Sequence, residues 1–267
     1  MEAQDKQEDE ISRIELLNSE LLATVGHELR GPLASIKGYT ATLLRHERSI
    51  SREERHEFLV AIATASNRLE RIIDRLLKVS QLETGTMTIK RSPVNLAHLL
   101  HEAIMAAEQH TLQHAAGHFT FGLHLRDAAG MLTNDEPPVM ADPRLLREVL
   151  DNLLENAVHY SPRGGAIDVI VRPLEQAVEI CVCDHGLGIP SEHLNRIFER
   201  FYRMDTRLIR DVNGLGLGLT ICKYIVELHG GVIWAESCPS GGSAFHVRLP
   251  VEEAAMNSLP LVAAKER

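Results

Sequence analysis

Aromatic residues make up only 4% of the 267 residues, and cysteine occurs at just four positions, 181, 183, 222 and 238. None of the four belongs to a C-x-x-C pair or to a cysteine–histidine cluster at zinc spacing, so they read as reduced thiols. Cys181 and Cys183 alternate on one face of an expected strand, where a free cysteine serves as a small apolar residue of the core. No apolar run approaches the eighteen or so residues of a membrane span, and residues 1–10 are too polar for a secretory signal. The chain is therefore expected to be soluble and cytoplasmic, with no membrane segment of its own. An excess of positive charge is also lacking. The formal net charge of -9 argues against nucleic acid, because phosphate backbones are held by clustered lysine and arginine. What the chain has is 44% apolar residues, ample for one large domain or two modest ones.

Residues 8–46 carry a helical period throughout. At about 100° per residue, Leu22, Val25, Leu29, Leu33 and Ile36 fall on one narrow stripe, while His27 projects from nearly the opposite side with Glu28 beside it. An exposed histidine is ordinarily just a solvated side chain. Here the next turn holds Gly31 and Pro32, which together cost a helix interior roughly 4 kcal/mol against alanine, and Pro32 leaves the Glu28 carbonyl without its helical donor. A bend is expected at that point. Ser51-Arg52-Glu53-Glu54 forms a capping box opening a second helix, whose Phe58, Ile62, Leu69, Ile72, Ile73 and Leu76 share one face and which ends near Gly85. Two amphipathic helices cannot enclose a core alone. A second copy would complete a four-helix bundle, so a homodimer is expected.

From Pro93 the pattern changes to helices mixed with strands. A helix over 96–107 and a strand over 119–123 precede a loop at 134–138. Asp142-Pro143 supplies an N-cap and an N1 proline for a helix through Leu146, Val149, Leu150, Leu153 and Leu154. Segments 166–172 and 177–183 alternate as one hairpin, and 231–237 with 243–249 as another, turning at Gly241-Gly242. The fold class is α+β: an N-terminal helical hairpin, then an α/β sandwich with helices over one sheet face. The expected division is a lead-in helix or coiled coil over 1–20, the hairpin over 21–88, the sandwich over 93–250, and a flexible tail over 251–267.

Three features of the second region carry chemistry. Asn152 and Asn156 stand four apart on one helix face, in leucine-rich surroundings that favour neither. Their amide oxygens can ligate Mg²⁺ and their amides can hydrogen-bond phosphate, although plain structural capping explains such residues too. Asp184-His185-Gly186-Leu187-Gly188-Ile189-Pro190 follows a strand: the glycines let backbone approach a flat ligand, and the carboxylate can accept from an exocyclic amine. Gly214-Leu215-Gly216-Leu217-Gly218-Leu219 opens a helix, where free amides and the positive dipole end suit phosphate. This loop fits neither the G-x-G-x-x-G dinucleotide fingerprint, since Leu219 occupies a glycine position, nor a P-loop, since Gly-Lys-Ser/Thr is missing. His110, His114 and His118 stand four apart and could share a helix face as metal ligands; with no acid or cysteine to complete the set, a solvated face is the simpler reading.

Taken in order, these segments resemble the motifs of the sensor histidine kinases of two-component systems. His27-Glu28-Leu29-Arg30-Gly31-Pro32-Leu33 is similar to their phosphoacceptor box, 152–162 to the asparagine box, and 184–190 to the first glycine box. Residues 198–203 resemble the phenylalanine box, and 214–219 the second glycine box. The resemblance covers roughly residues 20–250. It implies a dimerising phosphotransfer hairpin followed by a Bergerat-type ATP-binding domain, with ATP and Mg²⁺ as cofactors.

By that resemblance His27 is the nucleophile toward the γ-phosphorus, and Glu28 orients its second nitrogen and takes or stabilises the proton. Asn156 is the metal ligand, Asn152 contacts phosphate, Asp184 reads the adenine amine, and Gly214, Gly216 and Gly218 cradle phosphates with Leu215, Leu217 and Leu219 between and after them. His159, Tyr160, Gly186, Gly188 and Ile189 complete the nucleotide site, Arg203 addresses γ-phosphate charge, and 199–213 forms a lid. The partners implied are a second copy and a response-regulator receiver domain. The helical lead-in leaves open whether a sensor or membrane region precedes this chain.

Two positions depart from the family pattern. His159 stands where lysine or arginine is common, which implies modestly weaker nucleotide binding. Gly31 stands where threonine or asparagine is associated with hydrolysing the partner's aspartyl phosphate, which implies weak phosphatase activity. A different ATPase on the same nucleotide fold, such as a chaperone, topoisomerase or mismatch-repair module, explains the asparagine and glycine boxes but leaves the His27 hairpin unexplained. A dimeric scaffold that binds nucleotide without chemistry is the other alternative.

Overall fold

The computed structural model describes residues 2–114, 117–133, 139–204, 215–238 and 241–251. By their contacts the residues group into two units, 1–80 with 213–217, and 81–212 with 218–267.

The first unit is built on α1 (Glu2–Arg45) and α2 (Arg52–Glu83). The capping box is reciprocal: Ser51 N and Oγ donate to Glu54 Oε2, both at 2.9 Å, and Glu54 N donates to Ser51 Oγ at 3.1 Å. These bonds satisfy amides that a helix N-terminus otherwise leaves open. They also hold the Glu54 carboxyl below its ordinary pKa, chiefly through the Ser51 backbone N–H. Helix α1 runs as one element through Pro32, so the defect at Gly31-Pro32 does not interrupt it. The expected stripe is also shifted. Pro32 is buried, Val25, Leu29 and Ile36 are half-buried, and Leu33 is 48% exposed. A proline without its N–H presents a compact apolar ring, and here that ring takes the inward position in place of Leu33.

The second unit is a five-stranded sheet under three helices. Its elements are β1 (Ser92–Val94), α3 (Leu96–His114), β2 (Phe119–Leu125), β3 (Val139–Ala141), α4 (Pro143–His159), β4 (Gly165–Pro173), β5 (Ala177–Asp184), α5 (Gly218–Leu228), β6 (Val232–Ser237) and β7 (Ser243–Pro250). The sheet order is β2-β4-β5-β7-β6, with β1 and β3 forming a separate two-stranded sheet. Both expected hairpins are present, β4 with β5 and β6 with β7, whereas β2 joins parallel to β4. The core lies between the sheet and α3, α4 and α5. Leu146, Val149, Leu150, Leu153 and Ile221, Ile225 from the helices meet Ile167, Val169, Val178, Ile180 and Val247 from the strands, all at 1% exposure or less.

The expected N-cap of α4 forms: Asp142 accepts from Arg144 N and Leu145 N, and Pro143 follows it. Its carboxylate also takes the Lys90 N–H, while Asp142 N donates to His229 Nε2 at 2.9 Å. His229 donates from Nδ1 to the Ile225 carbonyl, so the buried ring is neutral with both nitrogens used. Helix α3 is longer than the 96–107 expected, and it ends at His114. His118 lies outside it, its carbonyl accepting from Gly165 N as the chain enters β2, so the three histidines do not share a helix face. Among the described residues no group of three His, Cys, Asp or Glu side chains is arranged to hold a metal ion. The expected loop at 134–138 and all but the first residue of the 251–267 tail lie outside the described residues.

The cysteine expectation holds in part: Cys181 is buried and Cys183 half-buried. Cys181 and Cys183 do share one face of β5, but it is the face turned from the helices, paired across the sheet with polar residues such as His246 and Asp168. Strand alternation puts Val178, Ile180 and Val182 under the helices and leaves the thiols on the other side.

Candidate functional site

In the first unit, His27 is exposed on α1 as expected. Glu28 is not simply its companion: its side chain is 12% exposed, and Oε2 accepts from Arg68 Nη2 of α2 at 2.9 Å. This ion pair ties the two helices of the hairpin beside the histidine. Arg68 was not foreseen, because a partner 40 residues away on another helix leaves no local pattern.

In the second unit, α4 carries Asn152, Asn156, His159 and Tyr160 toward its C-terminal end. Asn152 Nδ2 donates to the Glu148 carbonyl at 2.9 Å, which fixes the amide and presents its oxygen. That oxygen lies 3.1 Å from where a Cβ on Gly218 would sit, so the first residue of α5 approaches Asn152 as closely as only glycine comfortably allows. Asn156 is half-buried one turn further on. The exposed His159 turns its Nδ1 back to the Glu155 carbonyl at 3.1 Å. Burial pushes the Tyr160 hydroxyl above its usual pKa, and the Arg203 charge reaches the same group in opposition.

The segment after β5 is bolted to the end of α4. Leu187 N donates to the Tyr160 carbonyl at 3.0 Å, and a Cβ on Gly186 would lie 2.1 Å from that oxygen. No side chain fits there, which explains this glycine sterically. Asp184 is 2% exposed, and Oδ1 accepts from Gly186 N at 2.8 Å and from Ser243 N at 3.2 Å. Oδ2 accepts from Ser243 Oγ. The carboxylate is thus aimed by its own loop and by the start of β7. Gly188 has a φ of 73°, and Ile189, 6% exposed, donates its N–H toward Ser237 Oγ at 3.4 Å. In the same corner the Ser161 hydroxyl is buried with no hydrogen-bond partner among the described residues.

The structure therefore brings together Asn152 with Gly218, and Tyr160 with Asp184, Gly186 and Ser243. Leu219 follows Gly218 in α5; Leu215 and Leu217 are buried and Gly216 is half-buried, and the three group by contacts with the first unit. Gly214 and residues 205–213 of the expected lid lie outside the described residues. Ser243 and Ser161 were missed by sequence reasoning. Ser161 lay unremarked within the 152–162 segment, and Ser243 within the expected 243–249 strand.

A helical hairpin with an exposed histidine beside an ion-paired acid, followed by an α/β sandwich with asparagine and glycine segments packed together, defines a histidine kinase core. Two family models match it: the His Kinase A phospho-acceptor domain over residues 17–85, and the histidine kinase-, DNA gyrase B- and HSP90-like ATPases over 141–253. The sensor protein KdpD of Clostridium acetobutylicum is 34% identical over 249 residues, covering 93% of this chain and 26% of that protein. The adaptive-response sensory kinase SasA of a Synechocystis species is 31% identical over 251 residues, 92% of this chain and 62% of its own length. The structure of the histidine kinase ThkA in complex with the response regulator TrrA superposes with a TM-score of 0.63 at 26% identity, covering 92% of this chain and 66% of that one. The histidine kinase AdeS of Acinetobacter baumannii shares the fold, with a TM-score of 0.61 at 20% identity over 84% of this chain and 97% of its own. The chain belongs to the two-component sensor histidine kinases. It spans between 26% and 62% of the length of the curated relatives named here. No described helix is long and apolar enough to cross a membrane.

Proposed function

We propose that this chain binds ATP in its second unit, phosphorylates its own His27, and passes the phosphoryl group to an aspartate on a response-regulator receiver domain. The observation that carries this reading is the exposed His27, with the Arg68-held Glu28 beside it, on a hairpin matched by the phospho-acceptor family, on one chain with an ATPase-family sandwich. A gyrase-like or chaperone-like ATPase has no use for the hairpin. The residues present fit a nucleotide. Asp184 is a buried carboxylate oriented to accept from an amine, Gly186 and Gly218 give backbone close approach, and the orphaned Ser161 hydroxyl is a polar group that a base or its bridging water would complete.

In the transfer, a neutral ring nitrogen of His27 forms the N–P bond as the bond from the γ-phosphorus to the ADP oxygen breaks. The proton of the other ring nitrogen goes to Glu28 or to water beside it. Arg68 keeps the Glu28 carboxylate on the hairpin while this happens. Asn156, with its amide oxygen, would hold Mg²⁺, which neutralises phosphate charge; Asn152 and the α5 N-terminus would meet the phosphates. Asp184 would accept from the adenine amine, Gly188 and Ile189 would line the base, and Tyr160, His159 and Arg203 would flank the phosphates.

A second copy completes the hairpin. Ile73, Leu77, Leu59, Val60 and Leu33, each between 48% and 57% exposed, are the apolar surface it would cover. The pairing of the related ThkA with a response regulator supports the receiver-domain partner.

Incubation with γ-labelled ATP and Mg²⁺ tests the reading. Acid-labile, base-stable label on the protein, absent in His27→Ala, is expected; phosphate release with no labelled protein would overturn it in favour of a plain ATPase. Phosphatase activity toward the regulator is weak, because Gly31 offers no side chain to place a water. The position itself is open, since a Cβ there meets nothing within 4 Å. Gly31→Asn is therefore accommodated and is expected to speed decay of the phosphorylated regulator, read by its half-life with and without the kinase; equal decay would sink the idea.

A further inference from the structure

On the sheet face turned away from α3, α4 and α5, two thiols stand side by side in the central strand. Cys181 Sγ lies 3.2 Å from Cys183 Sγ and 3.7 Å from His246 Nε2 of the neighbouring strand β7. His246 is itself placed by Glu179 Oε1 at 3.4 Å and by the Trp234 ring, stacked at 4.8 Å and 5°. Glu179, 2% exposed, is held by Arg172 and Arg248. On this face the thiols are thus bordered by a connected set of polar and charged side chains. Within the pair the roles differ. Cys183 is half-buried and Cys181 8% exposed. The hydrogen bond shared by the two sulfurs, with burial, pushes the Cys181 thiol above its ordinary pKa and lowers that of Cys183. A more exposed sulfur in contact with a buried one is the arrangement of an attacking and a resolving thiol.

We propose that Cys181 and Cys183 are a peroxide-sensitive dithiol whose closure to a disulfide weakens nucleotide binding through the adjoining Asp184. The Cys183 thiolate attacks one peroxide oxygen: an S–O bond forms, the O–O bond breaks, and the other oxygen leaves as water after taking a proton. Cys181 sulfur then attacks Cys183 sulfur; the S–S bond forms, the S–O bond breaks, and the hydroxyl leaves as water with the Cys181 proton. Two thiols and one peroxide give one disulfide and two waters. The strand couples this to the site. Two residues of strand advance about 6.7 Å, at the long limit of the roughly 4.4–6.8 Å that a disulfide spans between Cα atoms. Closure therefore draws β5 in around Val182, two residues before Asp184, whose carboxylate is held by the Ser243 N–H and hydroxyl at the start of β7. This second part rests on the reading of Asp184 as a nucleotide contact.

The test uses the full chain treated with hydrogen peroxide, with alkylation and peptide mapping by mass spectrometry, and with a fluorescent ATP analogue titrated before and after. The expected result is a Cys181–Cys183 link, loss of two hydrogens, and a roughly tenfold weaker affinity, the size of one charge-assisted hydrogen bond, restored by a thiol reductant. Cys181→Ser should instead leave a dimedone-trappable sulfenate on Cys183, and Cys181→Ser and Cys183→Ser should each keep full affinity under peroxide. Oxidation confined to Cys238 or Cys222 overturns the dithiol. A Cys181–Cys183 link with unchanged affinity overturns the coupling to Asp184. A reduced protein that binds no nucleotide overturns the ATP-site reading, while the mapped link still decides the thiol chemistry.

Discussion

The two units solve the problem of burial in opposite ways. The sandwich encloses a core in which helix and strand residues are at 1% exposure or less, whereas among the described residues of the hairpin the buried apolar ones are Ala65, Ile72, Val79, Leu82 and a proline, and Ile73 and Leu77 stay about half exposed. One unit is complete in a single chain; the other is half of something. The polar residues follow the same division. Asp184, Glu179 and His229 are sunk in the sandwich with partners supplied by the fold, while His27 stands exposed on the hairpin. In the proposed function, a well-packed nucleotide cradle and an accessible carrier are what sequential phosphoryl transfer needs from the two units.

The comparison breaks most sharply at Gly186. Any Cβ there collides with the Tyr160 carbonyl, so Gly186→Ala is expected to destabilise the sandwich by about 3 kcal/mol or more and to abolish nucleotide binding. Trp234 is the single tryptophan of the chain and sits in β6, so its fluorescence reports this unit alone. An unshifted Trp234 melting curve would count against the packing described. The hairpin should answer a different change. Ile73→Glu with Leu77→Glu places two charges one turn apart on the exposed apolar face, and is expected to weaken dimerisation about 100-fold by sedimentation while leaving the Trp234 transition in place. Retained dimers would show that another surface joins the copies.

Legibility in the sequence follows contact range. The capping box at Ser51 and the Asp142-Pro143 start of α4 span two or three residues, so pattern alone revealed them. The β4–β5 and β6–β7 hairpins were legible for the same reason. The parallel placement of β2 on β4, the small β1–β3 sheet, the Arg68 clasp on Glu28 and the Ser243 support of Asp184 join residues 40 or more apart, and each partner looks ordinary in its own neighbourhood. The shift from Leu33 to Pro32 on the buried face of α1 was hidden because proline reads first as a backbone defect and only then as an apolar side chain. The cysteines were misplaced because alternation gives a shared face but not which side the helices cover.

Smaller effects separate the units by pH. Burial holds His229 below the ordinary histidine pKa, and its neutral ring accepts from Asp142 N and donates to Ile225. A depressed pKa in the folded state means that the unfolded chain takes the proton first. The stability tied to the neutral ring is thus fully present above about pH 6.5 and is lost as the pH falls from there toward the folded value. His229→Gln retains an acceptor for Asp142 N and loses the donor to Ile225. It is expected to cost about 1–2 kcal/mol at pH 7.5 and to flatten the acid-side decline of the Trp234 melting temperature. An equally steep decline in the variant would assign the acid sensitivity elsewhere.

The smallest expected change is at the hairpin's turn. Ser51→Ala removes the hydroxyl that caps Glu54 N and one of the two groups that bond the Glu54 carboxylate, while the Ser51 backbone N–H remains. A lost N-cap costs about 1 kcal/mol. Because bonds to the charged form lower the Glu54 pKa, the part of the capping contribution carried by the Ser51 hydroxyl–carboxylate bond is present above about pH 4.5 and is lost as acid protonates the carboxyl through its depressed value, while the bond from Glu54 N to the hydroxyl persists. Helix loss followed by far-ultraviolet circular dichroism should therefore come a few degrees earlier in Ser51→Ala at pH 7, with the gap between the two proteins narrowing at low pH, and with Trp234 fluorescence unmoved at pH 7. A Trp234 shift of equal size would mean that the hairpin and the sandwich unfold together, and that the incomplete unit borrows stability from the complete one.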